Sequence, residues 1–163
     1  MGYSFGGASM RRTVGVDTDL VKIATLALAH SPIDMSIPWR GGKRTAEQQK
    51  DLFNSGNTRC DGYTYKSYHQ SGKALDLVPW YNGKLDYKTT ERFQIFARIM
   101  LATFKYLHEI GEIPPDVYLH WGGFWSAEDT NNDGILSHID DKFGWDQPHW
   151  EFRSKPQTNV LIF

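Results

Sequence analysis

Cysteine is almost absent from this 163-residue chain. The single Cys60 excludes an intrachain disulfide framework, so packing or a bound metal must supply any extra stability. A surplus of charge is missing too: 18 Lys+Arg stand against 19 Asp+Glu, which leaves no basic field to draw the chain to nucleic acid or an anionic lipid surface. No apolar run approaches the roughly 20 residues of a membrane span. The opening stretch, 1–21, carries Arg11 and Arg12 without the apolar segment of an export signal. The expectation is a monomer made in the cytoplasm without a signal peptide, with neither nucleic-acid binding nor membrane insertion in its function. What the chain does have is apolar and aromatic side chain, 40% and 14% of residues, enough for one core in a chain too short for two ordinary enzyme domains. Residues 1–163 therefore read as one domain.

Periodicity divides the chain into helices and short strands. Asp17 is placed to cap a helix with Leu20, Ile23, Ala24, Ala27 and Leu28 on one face, failing at Ser31-Pro32. Met35 to Trp39 reads as a strand, and Thr45 with Gln48 forms a capping box that opens a helix to about Asn54. Ser55 to Lys66 is an exposed loop. Ala74 to Val78 is a strand in which Asp76 faces away from Leu75 and Leu77. A long helix from about Thr89 to Glu109 carries Phe93, Phe96, Ala97, Met100, Phe104 and Leu107 as core. Val117 to Trp121 and Pro148 to Arg153 are two further strands, separated by a Gly-, Asp- and Asn-rich excursion too long for an idle connection. These elements predict an α+β architecture, with helices packed on a small, mainly antiparallel sheet.

Metal-binding and proton-transfer residues concentrate in separated segments. In Ser67-Tyr68-His69-Gln70-Ser71-Gly72-Lys73-Ala74-Leu75-Asp76, a loop histidine and a strand carboxylate flank a glycine. Asp146-Gln147-Pro148-His149-Trp150-Glu151 adds a second imidazole and two more carboxylates. Two imidazoles and one carboxylate are the set a catalytic zinc uses when it keeps a fourth position open. Zinc brings the pKa of water toward about 7 and polarises a carbonyl, and a carboxylate such as Asp146 then serves as general base and proton donor. Arg44, at a strand-to-helix junction, is the candidate for stabilising the developing oxyanion. Spacing alone leaves open whether these segments meet in space.

Taken together, Gly42-Lys43-Arg44-Thr45 with Gln48, Ser67-x-His69-x-x-Gly72-x-Ala74-x-Asp76, Trp121-Gly122-Gly123 and Asp146-x-x-His149-x-Glu151 resemble the zinc D-alanyl-D-alanine carboxypeptidase and L-alanyl-D-glutamate peptidase family, in order and over nearly the whole chain. The resemblance implies the zinc-peptidase fold shared with hedgehog domains and DD-peptidases. It implies zinc on His69, Asp76 and His149, catalysis by Asp146 and contact of Arg44 with the substrate carbonyl. Asp at position 146, where the carboxypeptidase and dipeptidase branches carry Glu, is similar to phage L-alanyl-D-glutamate endolysins. That implies hydrolysis of the L-Ala–D-Glu bond in peptidoglycan stem peptides during host lysis, with passage to the wall through a separate holin. The alternatives that stay open are a D-alanyl-D-alanine carboxypeptidase and a non-catalytic, zinc-stabilised binding module.

The remaining expectations concern the surroundings. His120 and Trp121 are expected to line the substrate cleft, one or two other tryptophans to wall a groove, and Ser67 and Glu151 to orient the ligands. His30 and His108 lie near helix C-termini, where imidazole suits the helix dipole. Asp129, Asn131, Asp133, the Ile135 carbonyl, Ser137 and Asp140 match the spacing of an EF-hand calcium loop, although Asp140 is shorter than the usual closing Glu. A loop held by its own Asn and Asp side chains is the competing reading. Phe124 stands where related endolysins carry an acid that joins a calcium site, so that ligand has no counterpart here.

Overall fold

The computed structural model describes residues 2–128, 136 and 142–158. Along the chain run α1 (Gly7–Arg12), α2 (Thr18–Ala29), β1 (Met35–Ser36), α3 (Ala46–Asn54), β2 (Ala74–Asp76), β3 (Val78–Tyr81), β4 (Lys84–Leu85), α4 (Thr90–Glu109), β5 (Tyr118–Trp121) and β6 (His149–Arg153). The class is α+β, as expected, but the strands form two small antiparallel sheets rather than one, ordered β1-β3-β4 and β2-β6-β5.

The division falls at Leu77. Its N–H donates to the carbonyl of Pro148 at 2.9 Å, just before β6, while Val78 already pairs with Ser36 of β1. One continuous extended run therefore serves two sheets, and the strand expected over Ala74 to Val78 is split. The strand expected from Met35 to Trp39 stops after Ser36. Pro38 has no N–H to donate, and both polar groups of Ile37 turn to α1: its N–H donates to Ser9 Oγ at 3.1 Å and its carbonyl accepts from Arg12 at 2.5 Å. The helix α1 itself has no apolar stripe, so hydrophobic periodicity gives no sign of it.

The caps follow the sequence closely. Asp17 Oδ1 accepts from Asp19 N–H at the start of α2, and Thr45 with Gln48 closes both bonds of the capping box on α3. Leu20, Ile23 and Leu28 of α2, Phe96 and Met100 of α4, and Leu75 and Leu77 from the strands meet in one fully buried core. Trp121 and Trp150, paired in register across β5 and β6, stack at 5.8 Å between ring centroids within it. This core gives the β2-β6-β5 sheet a rigid back, and its register sets Asp76 directly opposite His149.

Gly72 ties α2 to the segment before β2. Its carbonyl accepts from Asp17 N–H at 2.8 Å, its φ is 75°, and a Cβ there would lie 2.2 Å from the carbonyl oxygen of Gly15. Both the left-handed backbone and the close approach require glycine. Gly72→Ala is expected to destabilise the fold by about 2 kcal/mol or more, lowering Tm by about 4–8 °C for a chain of this size; thermal unfolding of the two proteins measures it.

Candidate metal centre

Three elements deliver one donor atom each to a common point. Asp76 ends β2 and His149 begins β6 as its opposite neighbour, so the antiparallel register puts both side chains on one face. His69 arrives on a 3-10 turn, Tyr68–Ser71, which Ser67 and Gln70 cap reciprocally and Gly72 terminates in the left-handed conformation. His69 Nε2 lies 3.1 Å from His149 Nδ1, and both nitrogens lie 3.2 Å from Asp76 Oδ1. Ligands at about 2.0–2.1 Å around a tetrahedral zinc stand about 3.3–3.4 Å from one another. The trio has the edge lengths of one tetrahedral face.

The tautomers point the same way. His69 Nδ1 donates to the Gly42 carbonyl at 2.8 Å, and His149 Nε2 donates to Glu151 Oε2 at 2.8 Å. Each neutral ring therefore turns a lone pair inward, toward the other and toward a carboxylate. An arrangement of three facing acceptors is repulsive unless a cation sits among them. The residues thus fit a zinc ion.

The acid–base balance reflects this. Burial tends to lower both imidazoles. It prevails at His69, whereas hydrogen bonds to Asp76 and Glu151 raise His149 to about 9. Burial would raise Asp76, but the two histidines hold it well below the usual carboxylate range. Asp146 stands beside them on the turn closed by His149 N–H donating to the Asp146 carbonyl at 3.1 Å. Burial pushes its carboxyl up to about 6, against the opposing pull of His149. Gly122 permits this packing, since a Cβ there would meet the Asp146 carbonyl oxygen at 2.3 Å.

Arg44 is committed more deeply than its expected role requires. Nη2 donates to Asp76 Oδ2 at 2.7 Å, Nε to the Arg40 carbonyl at 2.6 Å and Nη1 to Gln49 Oε1 at 3.3 Å. It holds the free oxygen of the carboxylate whose other oxygen joins the trio. Two of its five N–H groups stay uncommitted on the wall of the cleft. Ser67 Oγ accepts from His69 N–H at 3.3 Å, and Glu151 Oε2 accepts from His149 Nε2 at 2.8 Å.

The trio and Asp146 open into a cleft of about 450 Å³ lined also by Asn57, Thr58, Trp125, Trp145 and Arg153. A larger groove, about 660 Å³ and bounded by Gly62, Tyr63 and Gln70, brings no acid, base and ligand set together. Two expectations are corrected. Trp121 is wholly buried against Trp150 and donates to the Gln147 carbonyl, and buried His120 bonds the Lys155 carbonyl at 2.6 Å; neither lines the cleft. Trp125 and Trp145 wall it instead. Arg153 went unnoticed in the sequence, although alternation along β6 from His149 places it on the same face. The calcium ligands expected at Asp129, Asn131, Asp133, Ile135, Ser137 and Asp140 lie outside the described residues, as does His138.

Comparison with known proteins now bears on the site. The family profile described as phage L-alanyl-D-glutamate peptidase matches residues 1–152. The L-alanyl-D-glutamate peptidase of Escherichia phage T5 is 30% identical over 135 residues, spanning 83% of this chain and 90% of that protein. The crystal structure of the Serratia marcescens L-Ala D-Glu endopeptidase ChiX superposes with a TM-score of 0.64 over 93% of this chain and 91% of that one; at 21% identity the likeness speaks for the fold.

Two outcomes follow from the trio. His69→Ala or His149→Ala should abolish stoichiometric zinc uptake, read by elemental analysis, and lower Tm, because metal binding and folding are coupled. His149 binds its proton more tightly folded, at about 9, than at its ordinary 6.5. In the metal-free chain its contribution to stability is therefore full below about 6.5 and is lost as pH rises through about 9. A metal ion binding there would displace that proton, so calorimetry of zinc binding at pH 7.5 in buffers of different ionisation enthalpy should report release of about one proton.

Proposed function

Because the chain belongs to the phage L-alanyl-D-glutamate peptidase family, we propose that it is a zinc-dependent endolysin that hydrolyses the L-Ala–D-Glu bond of peptidoglycan stem peptides during phage-induced lysis. The observation that carries this reading is the trio of inward-facing donors with a half-buried carboxyl, Asp146, beside it that has no hydrogen-bond partner among the described residues. His69, Asp76 and His149 would hold the zinc, which when bound would supply Lewis acidity toward the scissile carbonyl and lower the pKa of water.

The chain's own groups do the rest. Asp146 accepts a proton from the attacking water and returns it to the departing amine, and burial keeps its proton affinity close enough to neutrality for both transfers. Arg44 holds Asp76 while its uncommitted N–H groups stabilise the oxyanion. Trp125 and Trp145 exclude water from a bound peptide on the open side. Among the described residues no helix is long and apolar enough to cross a membrane. In this reading a monomeric enzyme reaches the wall through a pore made by a separate holin.

Digestion of purified peptidoglycan, read by mass spectrometry, should yield new C-terminal L-Ala and N-terminal D-Glu. Released D-Ala with intact L-Ala–D-Glu bonds would instead make this a carboxypeptidase, and no turnover with zinc loaded would leave a binding module. Asp146→Ala should keep zinc and fold while losing about 10²–10⁴ in rate; wild-type turnover by that variant removes Asp146 from the mechanism.

A further inference from the structure

Arg153 lines the cleft with a guanidinium whose forked end meets no protein acceptor among the described residues, while its Nε is held. His149, Glu151 and Arg153 alternate along β6 on one face, and Glu151 bridges the other two, accepting from His149 with Oε2 and from Arg153 Nε with Oε1. The Arg153 Cζ lies 5.5 Å from the Tyr68 ring centre and 5.8 Å from that of Trp125, whose ring in turn packs 5.1 Å from His149. Neither Nη nitrogen meets a protein acceptor among the described residues, yet the side chain is 40% exposed and lines the cleft. A surface arginine normally loses rotamer freedom when it binds; this one is already fixed by an ion pair and two aromatic faces.

Among the described residues Glu151 is the one acid in ion-pair contact with Arg153, and Asp146, in the same cleft, makes none with it. Asp76 is held by Arg44, and Glu151 is divided between His149 and Arg153. Arg59 and Lys66 have no acid partner among the described residues, but both are exposed on the loop after α3, where they aid approach rather than selection. The fork therefore belongs to the cleft wall one bridging carboxylate beyond His149.

We propose that Arg153 selects the substrate by binding a free carboxylate on the glutamate residue that follows the scissile bond. This rests on the endopeptidase reading above. A glutamate residue has two carboxyl groups and needs only one to continue the chain. The other is an anion unless it is amidated, and a paired Nη fork matches a carboxylate and not a carboxamide. The site thus distinguishes walls whose stem glutamate is free from walls in which it is amidated.

The test uses acetyl-L-Ala–D-Glu–L-Lys-amide with the spare glutamate carboxyl free or amidated, so that no other carboxylate is present. Wild type should prefer the free acid by about 10–100-fold in kcat/KM, mainly through KM, the range expected of a hydrogen bond to a charged group. Arg153→Gln should reduce the ratio to within about threefold, Arg153→Lys should fall between, and Arg59→Gln should keep the wild-type ratio. Because each ratio is taken within one protein, disturbance of the zinc site through Glu151 cancels. Equal cleavage of both peptides by wild type, a wild-type ratio in either Arg153 variant, or collapse of the ratio in Arg59→Gln overturns the proposal and leaves the endopeptidase reading intact. Cleavage of neither peptide by wild type overturns both.

Discussion

Three acceptors facing one another within 3.2 Å are the constraint on which this structure turns. Left alone they repel, and each is kept in place by a partner on its outer side. The Gly42 carbonyl holds His69, Glu151 holds His149 and Arg44 holds Asp76. These anchors come from the segment before α3, from β6 and from the junction that Thr45 caps. The outer bonds determine which nitrogen of each imidazole bears hydrogen, and so they determine that the inner space is a cation site.

The second layer is tied to the third. Gln49, wholly buried in α3, accepts from Arg44 and donates to Thr58 Oγ1 and the Cys60 carbonyl, so one amide joins the guanidinium behind Asp76 to the loop lining the cleft. Burial of that many polar groups is tolerable only because each is satisfied. It also couples the open wall to the ligand set, since the 58–60 loop is joined to Asp76 through three successive hydrogen bonds.

How much of this was legible in the sequence depends on the kind of signal. Caps are local: Asp17 and the Thr45–Gln48 box declare themselves within four residues, and α2, α3 and α4 lie where their patterns put them. The trio was legible because loop histidine, glycine and strand carboxylate are an unusual combination within eight residues. Trp121 was misread because an aromatic beside a motif looks the same from sequence whether it faces the cleft or the core. Its register with Trp150, known only once β5 and β6 pair, decides for the core. The split of 74–78 between two sheets was hidden for the same reason, since a backbone partner has no signature in the donor's own sequence. Arg153 carried a signal, two steps of alternation beyond Glu151, but a charged residue at a strand end ordinarily marks solvent.

Chemistry and selection occupy different parts of the fold, and this follows from what each requires. Proton transfer and ligation demand placement to within a fraction of an ångström, and they sit where antiparallel register, a capped turn and two glycines pressed against carbonyls leave no slack: Asp76 opposite His149, Gly72 against Gly15, Gly122 against Asp146. The groups facing the open cleft, Arg59, Lys66, Trp145 and Arg153, are at a strand end or on loops and are at least partly exposed. None of these four belongs to the register that sets Asp76 opposite His149, so the wall of the cleft can vary apart from the donors. Arg153 is the exception that joins the two regions: through Glu151 it reaches His149, so a group bound at the fork and the imidazole at the trio share one carboxylate.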